Sequence, residues 1–238
     1  MSDDRLYFRQ LLSGRDFAHS DPFAQQMVNF VYLIGDRETG DAVIVDPAYD
    51  PTGLLAVLEA DGMRCVGMLG THYHADHVGG SMMGLTVAGA AELLAHTSVP
   101  LHVQSDEADY VKRVTGLTDD DLVTHNGSSS IEVGAIDIEL LHTPGHTPGS
   151  QSFLVDNRLV AGDTLFLQGC GRTDLPGGNP EQLYDSLTRV LARVPDDAVL
   201  FPGHQYSAAA SATMGDTRAR NMVFKPRSAE DWLSMFGG

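Results

Sequence analysis

Four side chains able to bind a metal fall within six consecutive positions of this sequence, His72-Tyr73-His74-Ala75-Asp76-His77. Histidines two residues apart cannot share one face of a helix, but a tight turn at a strand terminus can direct both inward. A solvated polar loop is the ordinary reading of a lone histidine; imidazoles and a carboxylate this dense are the ligand chemistry of a transition metal. Three more candidates each follow an apolar run and stand beside a glycine. They are His146 in Thr143-Pro144-Gly145-His146, Asp163 in Ala161-Gly162-Asp163-Thr164 and His204 in Phe201-Pro202-Gly203-His204. Singly each motif reads as a turn, but in this order they complete a set of seven potential donors.

The elements that must position these donors are legible from local pattern. Runs at 27–34 and 42–46 read as a β-hairpin around a polar turn. A helix at 51–61 carries Leu54, Leu55, Val57 and Leu58 at helical spacing and closes on Gly62. Further strands are expected at 66–69, 101–104, 131–133, 136–141, 151–155, 158–161 and 198–201, and helices at 88–96 and 106–114. Asn179-Pro180 with Gln182 predicts a capped helix running to about Arg193, and Ser228 with Asp231 predicts a closing helix to Met235. Two groups of strands, each followed by helices, imply two packed sheets with helices outside, and nothing splits residues 1–238 into more than a single domain.

Composition narrows the function. The 238 residues carry a formal net charge of −17, which argues against nucleic acid as a partner, because such affinity rests on Lys and Arg displacing counterions. No run approaches the roughly 20 apolar residues of a membrane span, and the acidic start is not followed by a secretory apolar segment, so the expected compartment is the cytoplasm. Only Cys65 and Cys170 occur, far apart, which gives a disulfide framework no support and makes Cys170 a small structural residue.

The pattern His72-Tyr73-His74-Ala75-Asp76-His77 with His146, Asp163 and His204 resembles the ligand set of the metallo-β-lactamase superfamily, over nearly the whole chain from Arg9 to Asn221. The resemblance implies an α+β, four-layer αββα sandwich with a metal site along one edge of its two sheets. Gly162-Asp163-Thr164-Leu165-Phe166 followed by Gly169-Cys170-Gly171-Arg172 is similar to glyoxalase II thioesterases and to persulfide dioxygenases. Phe8-Arg9-Gln10-Leu11 and Tyr32-Leu33-Ile34-Gly35-Asp36 lean toward the dioxygenases, whereas Pro202-Gly203-His204 with Ser211-Ala212-Thr213-Met214-Gly215-Asp216 looks like compact glyoxalase II-like hydrolases.

Carried over residue by residue, the resemblance implies one metal held by His72, His74 and His146 and a second by Asp76, His77 and His204, with Asp163 bridging. The pair would be two divalent transition metals, zinc first, with iron or manganese as alternatives. A metal-bound hydroxide would attack and Asp76 would orient it. A thiolate, with a pKa near 8.5, leaves without a general acid, whereas an amine does not, so a hydroxyacyl thioester fits better than an amide. Asp163 also stands where one class of zinc β-lactamases has a cysteine ligand, which disfavours antibiotic hydrolysis. A persulfide dioxygenase would instead use one Fe(II) on His72, His146 and Asp163. A non-catalytic metal-binding or sensing module is the third reading. In both enzymatic readings the partner is a small-molecule, thiol-derived substrate.

One charge feature opposes the global trend. Arg218, Arg220, Lys225 and Arg227 lie in a stretch without Asp or Glu. They read either as a solvated face or as anion recognition for the substrate. Larger glyoxalase II enzymes hold glutathione carboxylates with a basic C-terminal helical region. Only 34 residues of this sequence follow His204, so glutathione is not assumed and a smaller or different thiol carrier stays open.

Overall fold

The computed structural model describes residues 5–82, 84–226 and 228–237. In chain order the elements are β1 (Leu6–Leu12), α1 (Pro22–Met27), β2 (Phe30–Asp36), β3 (Asp41–Val45), α2 (Pro51–Ala60), β4 (Arg64–Leu69), α3 (Ala75–Val78), β5 (Gly80–Met82), β6 (Leu85–Val87), α4 (Ala90–Leu94), β7 (Leu101–Gln104) and α5 (Ser105–Thr115). They continue with β8 (Leu122–His125), β9 (Ser129–Val133), β10 (Ile136–His142), β11 (Gln151–Val155), β12 (Arg158–Gly162), α6 (Pro180–Asp185), β13 (Val199–Pro202), β14 (Ala212–Thr213), α7 (Met214–Arg220) and α8 (Ala229–Phe236). One six-stranded sheet has the order β1-β2-β3-β4-β7-β8, the other β14-β13-β12-β11-β10-β9, and β5 and β6 form a separate hairpin.

Period-two alternation assigns side chains to layers. In β2, Val31 and Leu33 pack with Leu54, Leu58, Leu93 and Val111 on the helical side. Phe30, Tyr32 and Ile34 of the same strand pack with Ile138, Leu140, Phe153 and Val155, filling the space between the sheets. On the far side Leu159 and Leu200 meet Leu183, Leu187, Leu191 and Trp232. Helix, sheet, sheet and helix thus stack in four layers around three apolar clusters, the αββα arrangement expected from the sequence.

Caps fall where expected at two helices: Asn179 accepts from the backbone of Gln182, and Ser228 from that of Asp231. The helix through Arg193 is continuous but widens at Ser186–Val190 and tightens at Leu191–Arg193. The strand read at 27–34 begins later, at Phe30, because α1 occupies 22–27. Asp21 caps that helix, Pro22 starts it, and Val28 ends it in the left-handed region at φ +50°. The helix read at 88–96 shortens to α4. Strands β1, β5, β6, β8 and β14 are additional; β5, β6 and β14 span only two or three residues, and β8 carries no fully buried residue.

Candidate metal centre

The donors arrive from the C-terminal ends of strands in both sheets. In the first sheet β4 runs into the turn bearing His72 and His74, and α3 follows with Asp76 and His77. In the second sheet β10, β12 and β13 run in one direction, because β10 and β12 are both antiparallel to β11 and β13 is parallel to β12. Their ends deliver His146, Asp163 and His204 to the same edge. Two glycines make the close approach possible. Gly162 sits at φ +51°, where a Cβ would stand 2.7 Å from Thr71 Cβ, and a Cβ on Gly203 would stand 2.3 Å from Asp163 Oδ1.

All seven predicted donors converge. His74 Nδ1 lies 2.9 Å from His72 Nε2 and 3.1 Å from His146 Nε2. His77 Nε2 lies 3.2 Å from His204 Nε2, and Asp76 Oδ2 is 3.5 and 3.4 Å from those two nitrogens. Asp163 spans both groups, with Oδ2 3.7 Å from His146 Nε2 and 3.4 Å from His204 Nε2, and Oδ1 3.5 Å from His77 Nε2. The five histidines are buried.

What faces the opposite ring nitrogens decides where the protons are. His146 Nδ1 is 2.7 Å from the Arg172 carbonyl and His204 Nδ1 is 2.8 Å from the Met27 carbonyl, so each Nδ1 carries the proton and each Nε2 presents a lone pair. His77 Nδ1 is 2.8 Å from Asp46 Oδ2, with the same consequence. Thr71 Oγ1 donates to Asp46 Oδ2 at 2.7 Å and therefore accepts, at 3.0 Å, from His72 Nδ1. Four Nε2 lone pairs consequently point into one space. Lone pairs 3.2 Å apart repel unless a cation or proton lies between them, and Asp163 Oδ1 is buried without a hydrogen-bond partner. The donor set therefore has the chemistry and the orphaned atom that a transition-metal centre requires.

Titration tells the same story. Burial alone would lower His77, but Asp76, Asp163 and Asp46 outweigh it and push the metal-free residue up to about 10, a proton taking a cation's place. His74 is driven down to about 3 by burial and by His146. Asp163 is held well below the usual carboxylate range, since His204 and His77 overcome its burial.

Several supporting residues carried no signal in the sequence reading. Buried Asp46 accepts from Thr71 N as well, at 2.7 Å. Asn29 Nδ2 donates to Asp76 Oδ2 at 3.0 Å while its Oδ1 accepts from Tyr49 Oη at 2.9 Å. Buried Glu107 ties the two ligand loops together by accepting from Tyr73 N, Thr147 Oγ1 and Gly149 N. Burial pushes Glu107 up to about 7 against the effect of those donors. Tyr206 stacks on His204, centroids 4.7 Å apart and planes 7° apart. Only a motif such as Val45-Asp46-Pro47, an acid at a strand end, marks any of them in sequence.

A cavity of about 490 Å³ opens over the cluster, lined by His74, Asp76, His146, Asp163 and His204 together with Cys170, Arg172 and Tyr206. It continues in two directions. A cavity of about 430 Å³ shares Gln168 and Tyr206 with it and reaches Arg220. Another, of about 290 Å³, shares His74, Met82 and Leu175 and reaches Arg113. Both cysteines are free, and burial pushes the Cys170 thiol up to about 12, which suits a structural residue rather than a nucleophile.

The basic residues separate. Arg220 lies at a cavity rim, whereas Arg218 pairs with Asp196 and donates to the carbonyls of Leu191 and Val194. Lys225 Nζ donates to the carbonyls of Arg218 and Ala219 at the end of α7. Their contacts tie chain segments together, and of the three described residues Arg220, 3.8 Å from Asp216, is the one that lines a cavity. Arg227 lies outside the described residues.

The sequence profile of the metallo-beta-lactamase superfamily matches residues 25–204, a span that contains all seven donors, and the chain belongs to that superfamily. It is a metal-dependent enzyme of the same fold. Over 235 residues it is 30% identical to the mitochondrial persulfide dioxygenase ETHE1 of Homo sapiens, covering 94% of this chain and 82% of that one. It is 37% identical over 180 residues to a hydroxyacylglutathione hydrolase of Anaeromyxobacter dehalogenans, covering 76% of this chain and 62% of that one. The crystal structure of ETHE1 from Myxococcus xanthus superposes with a TM-score of 0.79 at 29% identity, covering 98% of this chain and 90% of that one. Among the described residues no helix is long and apolar enough to cross a membrane.

Proposed function

We propose that this enzyme hydrolyses a thioester at a two-metal centre, with His72, His74 and His146 holding one ion, Asp76, His77 and His204 the other, and Asp163 shared between them. The reading treats both sheets as one domain, since each supplies donors. The observation that carries it is the cavity with two arms. A bond being hydrolysed joins two groups, and each needs room on its own side of the centre. A persulfide has one organic group, for which one arm would suffice.

When bound, the ions supply Lewis acidity and a water acidic enough to ionise near neutral pH. The protein's own residues supply the rest. Asp76 stays ionised because His77 and His204 outweigh its burial, and Asn29 fixes one of its oxygens, so the carboxylate is oriented to accept a proton from an attacking water. Tyr206, raised by burial, keeps its phenolic proton and presents a donor at the mouth of one arm. A departing thiolate needs no acid from the protein.

The second reading, a persulfide dioxygenase using iron on His72, His146 and Asp163, draws on the near full-length similarity to ETHE1 proteins. One preparation of known metal content separates the two. The hydrolase cleaves S-lactoyl and related thioesters under argon as fast as in air, contains two metals per chain and stops on chelation. Oxygen uptake with sulfite formation from a low-molecular-weight persulfide, without anaerobic thioester cleavage, would reverse the assignment.

A further inference from the structure

Between α5, the β5–β6 hairpin and residues 175–176 lies the 290 Å³ arm, and its lining differs in kind from the donor cluster beside it. Its walls are Met82, Leu175, Pro176 and the rings of Tyr73 and Tyr110, which stack with centroids 4.8 Å and planes 29° apart. The Tyr73 hydroxyl is engaged, donating to the Pro176 carbonyl at 2.9 Å, so what Tyr73 offers the cavity is a ring face. Among the described lining residues the formal charge is Arg113, whose guanidinium carbon stands 5.4 Å from the Tyr110 ring centroid. Arg113 is exposed, and among the described residues no carboxylate pairs with it. Its neighbour Lys112 is held by Asp109 and Asp119. An unpaired guanidinium over an aromatic ring, at the end of an apolar slot opening onto the donors, is the geometry for holding an anion at a fixed reach from the reacting bond.

We propose that this arm is a specificity subsite for an apolar or aromatic segment that ends in a carboxylate, with the stacked Tyr73–Tyr110 pair forming one wall against the segment and Arg113 taking the anion. Which half of the substrate carries that segment rests on the hydrolase reading; the subsite itself does not. The sequence pointed to the basic C-terminal residues for anion recognition, and Arg113 lies outside them.

The test uses metal-loaded enzyme and two pairs of thioesters of equal length. In one pair the acyl chain ends in carboxylate or in methyl, on a neutral thiol; in the other the thiol half carries that difference, beneath one acyl group. One pair shows a kcat/KM preference for the carboxylate, and that pair identifies the half bound at Arg113. Arg113→Gln lowers this preference about fivefold, the upper range for a partly exposed ion pair. Arg189→Gln, the same charge change at an exposed position paired with Asp185, leaves the preference unaltered. Calorimetry with pimelate and heptanoate gives a readout independent of turnover: pimelate binds more tightly, and Arg113→Gln removes most of the difference. If no thioester is cleaved yet that difference appears and depends on Arg113, the subsite stands and the hydrolase reading falls. If thioesters are cleaved with no carboxylate preference in either pair, or with one that Arg113→Gln does not alter, the subsite is overturned and the hydrolase reading stands.

Discussion

Replacing Asp46 by asparagine exchanges one oxygen for an NH2 group and so tests whether proton direction, rather than packing, prepares the centre. Asp46 is 3% exposed and accepts three hydrogen bonds, from Thr71 N at 2.7 Å, Thr71 Oγ1 at 2.7 Å and His77 Nδ1 at 2.8 Å. In Asp46→Asn the remaining oxygen still takes Thr71 N–H. The amide nitrogen, standing where Oδ2 was, donates where that oxygen accepted. His77 must then accept at Nδ1 and move its proton to Nε2, which removes the lone pair directed at the cluster. Thr71 Oγ1 likewise turns its proton toward His72 Nδ1, and His72 Nε2 is blocked by the same reversal. Outer-sphere partners of this kind are worth about 10–100-fold in metal affinity, or about 1.4–2.7 kcal/mol. The buried Thr71 N–H stays satisfied, so what the metal-free fold loses is the Asp46 carboxylate facing His77. Asp46→Ala orphans that donor and adds a stability cost of about 1–3 kcal/mol. Competition titration against a chromophoric chelator measures the affinity, and thermal melting of the metal-free protein measures the fold. An Asp46→Asn protein that melts like wild type and binds metal within threefold of it would refute the argument that acceptors on the far side of each ring orient the donors.

Two further outcomes follow from the geometry. Asp163→Ala removes the one carboxylate within reach of both histidine groups, so turnover falls more than about a hundredfold and elemental analysis finds less metal per chain; near-normal turnover would remove Asp163 from the centre. Glu107, raised from 4.5 to about 7 in the fold, binds a proton more readily folded than unfolded. Stability therefore falls as pH rises from about 4.5 to 7, by up to about 3 kcal/mol, and does not change further above that range. Urea midpoints at pH 5 and 7.5 show wild type losing stability relative to Glu107→Gln across this interval, and a constant difference contradicts the shift.

The convergence of the seven candidate donors was legible because residue types that suit a metal stand at the ends of particular strands, and strand ends are marked by glycine and proline. The layer assignment was legible for a related reason, since alternation in β2 alone separates Val31 and Leu33 from Phe30, Tyr32 and Ile34. The residues that escaped are those whose meaning depends on a partner distant in sequence. Asp46 reads as a strand terminus until His77 is seen to lie 2.8 Å away, and Glu107 reads as an acid in the first turn of α5 until the loops bearing Tyr73 and Gly149 close on it. The basic cluster shows the converse. Like charges close in sequence suggest one function, but in the fold Arg218 is directed at the carbonyls of Leu191 and Val194, Lys225 at those of Arg218 and Ala219, and Arg220 lines a cavity. The same distinction bears on the reaction. The candidate donors are compatible with both the hydrolase and the dioxygenase reading, so the ligand list does not separate them. The space on either side of the donors is built by α5, the β5–β6 hairpin, residues 166–176 and residues 204–220, four segments far apart in the chain. Substrate, unlike metal, is therefore specified by contacts that only the folded chain brings together.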